Sequence, residues 1–157
     1  MTISAPSVMK NLFNQTVALG EKSVNSDAWF EVKGFEGMSL LCKQFPWPEL
    51  SSAGEIEVPL PVGGAMWQAQ QVKFNQQGAV TFLETVDGVV GRFLEQVIAQ
   101  GGYFDATVYE GTPEQFTQKK DITRCFFQVD PADRDWENRS QVTQISGTLF
   151  YHYFGTE

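Results

Sequence analysis

The chain has 157 residues, the size of one domain, and 42% of them are hydrophobic, which excludes a disordered polypeptide. Charged residues make up only 19%, aromatics 13%, and 11 basic against 19 acidic residues leave a formal charge of -8. That balance excludes a surface that clamps a phosphate backbone, which needs clustered Lys and Arg, but not a surface that nucleic acid slides past.

From Met1 to Asp27 the pattern is irregular. Met1 to Lys10 lacks a basic stretch followed by an apolar one, so no secretory signal is expected. Val8, Met9, Leu12 and Phe13 recur at helical spacing after Pro6, which predicts a short helix or an arm over 1–27. From Trp29 the period changes to two: Phe30 and Val32 alternate with Glu31 and Lys33, and 38–43 can continue as a second strand. Pro46 and Pro48 exclude a helix or central strand around Trp47, so 44–54 is expected to be a loop with an aromatic tip. Over 55–60, Ile56, Val58 and Leu60 alternate with Glu55 and Glu57, a strand pattern. The Gln-rich run 65–77 carries no readable period, and 80–86 is a strand.

One helix is expected over about 88–100, because Val89/Val90, Phe93/Leu94 and Val97/Ile98 form a stripe, with Asp87 as N-cap and Gly101-Gly102 as stop. Strands follow at 103–109, 121–129 and 141–154, separated by a charged turn at 130–135. No apolar run approaches the roughly 18 residues that suggest a membrane span, so no membrane insertion is expected. The sum is an α+β domain, a mostly antiparallel β-sandwich or barrel of six to seven strands with one flanking helix and one wet sheet face.

No residue pattern points to catalysis, a cofactor or a metal. The single His152 stands among aromatics in the last strand, and Cys42 and Cys125 lack metal or redox spacing and read as reduced thiols. Glu55 and Glu57 share a strand face with nothing marking a buried pocket, and the 130–137 acids lack the Gly and terminal Glu of a calcium loop. Trp29, Trp47, Trp67 and Trp136 stand near segment ends, where Trp can anchor one subunit on another. Trp47, held between two prolines, loses little entropy on docking.

The element order resembles the tail tube protein of contractile-tailed bacteriophages. The resemblance runs over about 28–155: Phe30-Glu31-Val32-Lys33-Gly34-Phe35, a Pro-containing loop and hairpin, Val80 to Glu84, one helix through Phe93-Leu94, Phe126 to Pro131, and a terminal strand ending Leu149 to Tyr153. Type VI secretion and contractile bacteriocin tubes share this layout. The resemblance implies a non-enzymatic virion protein. Its copies form rings, in that family of six, whose sheets join around a lumen. The rings stack inside a sheath, with tape-measure, baseplate and terminator proteins as partners, assembled in the host bacterial cytoplasm. DNA passes through without specific binding.

On this reading Glu55, Glu57, Glu84, Gln144, Ser146 and Thr148 are expected to face the lumen, each opposite an apolar row. Subunit contacts are expected from the arm (Val8, Met9, Leu12, Phe13) and from an inter-ring loop at 44–54 (Phe45, Trp47, Leu50). Rival readings are a tube carrying protein effectors, a terminator or baseplate relative that caps rather than extends, and a small-ligand-binding β-barrel.

Overall fold

Strands with one apolar and one polar face must bury the apolar face, and this chain does so by curling one sheet nearly closed on itself. The structure is a computed structural model and describes residues 5–156. In chain order it runs α1 (Pro6–Ala18), β1 (Ala28–Val32), a 3-10 turn (Glu36–Leu40) and β2 (Cys42–Gln44). A hairpin of short strands follows: β3 (Ser51–Ser52), β4 (Glu55–Pro59), β5 (Ala65–Ala69) and β6 (Val72–Lys73). Then come β7 (Asn75–Leu83), α2 (Val89–Ala99), β8 (Phe104–Gly111), β9 (Phe116–Val129) and β10 (Gln144–His152).

The six-stranded antiparallel sheet has the order β1-β8-β9-β10-β7-β2. Phe30 and Val32 of β1, Val80 and Phe82 of β7, Ala106 and Val108 of β8, Ile122 and Cys125 of β9, and Leu149 and Tyr151 of β10 all point inward and are buried. Each bulky apolar side chain so placed contributes about 1.5–3 kcal/mol. The edge strands β1 and β2 do not share a ladder; Phe30 stacks on Phe45, just beyond β2, with ring centroids 5.6 Å apart. Helix α2 covers the sheet with Val90, Phe93 and Val97. Phe93 meets Phe35 edge-on at 5.0 Å and Phe127 at 6.0 Å. The architecture is the expected α+β barrel with one flanking helix.

Two backbone features set the register. Gly147 on β10 stands so close to β9 that a Cβ would run into the Gln128 carbonyl. On β9 a bulge puts Arg124 at φ 49°, and Asp105 of β8 accepts its backbone N–H at 3.0 Å, which holds the strained residue in place.

Several boundaries differ from the sequence reading. Residues 36–40 form a 3-10 turn rather than strand, β9 begins at Phe116 rather than 121, and β10 begins at Gln144 rather than 141. The unassigned run 65–77 supplies β5, β6 and the start of β7. The N-cap of α2 is Gly88, in the left-handed region at φ 72°, not Asp87.

Candidate assembly surfaces

The hairpin of β3–β6 leaves the barrel with nothing under it. Its register places Ile56 opposite Gln68 and Val58 opposite Met66 on one face, and Glu55 opposite Ala69 and Glu57 opposite Trp67 on the other. No residue of the hairpin is buried. Trp67 is 69% exposed, Val62 is bare, and Ile56, Leu60 and Met66 are also exposed. Glu55 and Glu57 therefore stand on a projecting ribbon.

The hairpin is rooted by the loop before it. Pro48 is buried, and Lys120 of β9, only 7% exposed, donates from Nζ to the Pro48 carbonyl at 2.8 Å. The same ammonium pairs with Glu49 at 3.0 Å and lies over the rings of Trp47 (5.1 Å) and Tyr153 (5.5 Å). A buried cation needs such partners, and here they clamp 47–49 to the barrel wall. Phe45 and Trp47 are accordingly half-buried against their own chain, while Leu50 is exposed.

The other expected lumen residues separate. Glu84 follows β7 and turns back on α2. Partial burial opposes ionisation, but N–H groups of Val90 (3.0 Å), Thr85 (2.9 Å) and Gly91 (2.9 Å), with the Arg134 charge, outweigh it and hold the carboxyl below its ordinary range. It occupies the positive end of α2, a structural task that leaves Asp87 without the capping role. Gln144, Ser146 and Thr148 stay together on the outward face of β10. In register beside them on β7 are Leu83, Thr81 and Ala79, and Thr81 lies within 3.5 Å of the Ser146 hydroxyl and donates to Gln44 at 3.3 Å. Neither β7 nor β10 holds an Asp, Glu, Lys or Arg. The rest of the outward sheet face differs: Glu31 on β1 and Asp121 on β9 flank Thr107, and Lys119 stands opposite Tyr109.

The arm residues Val8, Met9, Leu12 and Phe13 lie on α1, of which no residue is buried. Residues 1–4 of the expected arm fall outside the described residues.

Neither cysteine is arranged as an activated nucleophile. Burial pushes the thiols of Cys42 and Cys125 up to about 12; for Cys42 a hydrogen bond with the Gln44 backbone opposes this in part, and for Cys125 the Asp105 charge adds to it. Such thiols stay protonated and unreactive at neutral pH. His152 lies on β10 with Nδ1 3.3 Å from the Thr123 carbonyl, a strand-to-strand tie. Among the described residues no cluster of three or more His, Cys, Asp or Glu could hold a metal, and no helix is long and apolar enough to cross a membrane.

No protein-family model matches the chain, and no curated protein matches it. Solved structures do. A chain of the PVC sheath-tube complex, an extracellular contractile injection system in the extended state, is similar over 87% of this chain and 92% of its own, at 14% identity and TM-score 0.56. A chain of the anti-feeding prophage cap, a tube terminating cap, is similar over 85% and 89%, at 11% identity and TM-score 0.57. A chain of the sixfold-symmetrised anti-feeding prophage baseplate is similar over 85% and 93%, at 9% identity and TM-score 0.58. The chain thus has a fold that is also found in chains of contractile injection particles.

Proposed function

We propose that the chain is a structural subunit whose copies assemble in rings, six to a ring, that stack into the inner tube of a contractile particle. The observation that carries this reading is the projecting hairpin. A barrel with its own complete core extends a ribbon bearing Ile56, Leu60, Met66 and Trp67 into water, which a working monomer has no reason to do. The likeness of the fold to chains in sheath-tube, cap and baseplate complexes supplies the class of assembly. Joining the free edges of β1 and β2 around a ring removes exposed strand edges. Sheath, tape-measure, baseplate and terminator proteins are the further partners of such a tube, and the particle's tail is its location.

The lumen wall in this reading is the outward face of β7 and β10, with Gln144, Ser146 and Thr148. Its chemistry is uncharged, amide and hydroxyl groups with Leu83, Ala79 and Phe150 beside them, and it lacks the carboxylates of Glu55, Glu57 and Glu84 that strand position groups with it. A wall without cations gives phosphates nothing to hold, so DNA slides past it. Glu55 and Glu57 add negative charge at the hairpin, between rings, and Glu84 takes no part in the lining. A tube for protein effectors is the second reading, favoured by the same neutral wall and by the likeness to an extracellular injection system. Concentrated purified protein viewed by negative-stain electron microscopy is expected to show annuli or hollow rods. A monodisperse monomer up to the solubility limit, also when seeded with a preformed tube end, contradicts the reading. Rings that never lengthen identify a cap.

A further inference from the structure

One end of the outward face of β10 differs from the rest. Beyond Gln144, Ser146 and Thr148 the next position on that face is Phe150, which pairs with Gln77 of β7 on one side and Phe126 of β9 on the other. The Phe126 and Phe150 rings stack nearly parallel, 4.9 Å apart. Tyr103, just before β8, stands edge-on to Phe126 at 6.0 Å, and the Arg124 guanidinium lies over the Tyr103 ring at 4.6 Å. Arg124, Tyr103, Phe126 and Phe150 therefore form one unbroken row. Tyr103 is 49% exposed and Phe126 37%, so rings already oriented by one another stand open to a partner and lose little freedom on docking.

The charge beside this row runs against that of the chain. Lys73 of β6 lines a cavity of about 270 Å³ next to Phe126, Phe150 and Gln77. No Asp or Glu lines that cavity, in a chain with 19 acids against 11 bases. The one ion pair among the described residues joins Lys120 to Glu49, so Arg124 and Lys73 both lack a carboxylate partner. Asp105 stands beside Arg124 but accepts its backbone N–H. The backbone at Arg124, with φ 49°, favours glycine, so an arginine is held there at a cost in strain. The row offers apolar rings and two unpaired cations together, which suits a partner that is both apolar and anionic.

We propose that this row is a docking station for an acidic, apolar-rich polypeptide carried in the lumen. This rests on the tube reading and names, within it, the chemistry of what the tube holds. Carboxylates of such a chain meet Arg124 and Lys73, and its Leu or Phe side chains lie on Phe126 and Phe150. Duplex DNA is the poorer occupant, because its bases are stacked inward and it uses the cations while leaving the rings idle. Both cations lie off β7 and β10, at one end of the wall, so the rest of the wall stays uncharged. Repeated in every copy of a ring, contacts that are weak singly retain a cargo without a tight site in any one copy.

The test uses assembled rods and a labelled synthetic peptide alternating Glu with Leu and Phe, added during assembly and then washed. Wild-type rods should retain it at least about tenfold better than the same peptide with Lys in place of Glu, because the cations select its charge. Arg124→Gly combined with Lys73→Gln, at two positions that are not buried, should lower retention about tenfold, and Phe126→Ala should do the same by removing the platform. A benzophenone attached at Gln77→Cys should cross-link the retained peptide at least about tenfold more than one at Val86→Cys, a fully exposed control, as expected for groups held together. Rods that form normally but do not retain the peptide, or retain it equally after these substitutions, overturn the docking station and leave the tube reading intact. Retention of an oligothymidylate strand or a DNA duplex in preference to the peptide, lost in the same variants, assigns the row to nucleic acid and also overturns the proposal. Failure of the wild type to assemble, even when seeded, removes the tube reading and the station with it.

Discussion

The barrel and the hairpin are built from the same alternating strands, yet they solve opposite problems. In the barrel, one face of every strand meets the same core, where Phe30, Phe82 and Leu149 are fully buried. In the hairpin, Ile56 and Met66 sit at equally regular strand positions and are exposed. The barrel has its stability within one chain. The hairpin has strand geometry but no second layer, and in the proposed assembly a neighbouring copy supplies that layer. Alternation therefore reports a strand and its two faces without reporting which molecule covers the apolar one.

Variants at the joint, in the barrel and on the ribbon should separate these two kinds of stability. The largest effect on folding is expected from Lys120→Met. It removes the bonds to Pro48 and Glu49 and unclamps the root of the hairpin, at a cost of about 2 kcal/mol in chemical denaturation. Glu84→Gln is expected to cost about 1 kcal/mol at pH 7, the usual scale of a lost helix cap. Because Glu84 is held below its ordinary pKa, its contribution is fully present above the unfolded value, near 4.5, and fades as pH falls through the lower folded value. The gap between wild type and Glu84→Gln should therefore close on acidification below that value. A gap that stays constant from pH 7 to pH 3 contradicts the cap. Trp67→Ser should change monomer stability by less than about 0.5 kcal/mol, because the ring leaves no core, yet should abolish rods seen by electron microscopy. Unimpaired rods would deny the hairpin its part in stacking.

The sequence legibly marked α2 and the strands around Phe30, Phe82, Val108 and Leu149, because burial on one side imposes a period there. It was silent over 65–77 for the reverse reason: all five residues of β5 are exposed, so no inside-outside pattern exists to read. Trp47, between prolines, reads as an interface anchor. The fold adds a contact with Lys120, 73 positions further on, and no local pattern announces a clamp across that separation. Strand position alone groups Glu84 with the lumen carboxylates. Its role as the cap of α2 follows from the left-handed turn at Gly88, which points the first N–H groups of the helix back at it. Gln144, Ser146 and Thr148 were placed on one face by alternation alone, and they share it in the fold.

A cryo-electron microscopy map of the assembled protein at side-chain resolution tests the central claim most directly. The account predicts a hollow tube in which Gln144, Ser146 and Thr148 of every copy line one continuous lumen and the 51–73 hairpin bridges successive rings. A particle in which each barrel stays separate, with that neutral face turned to bulk solvent and no common pore, would contradict it.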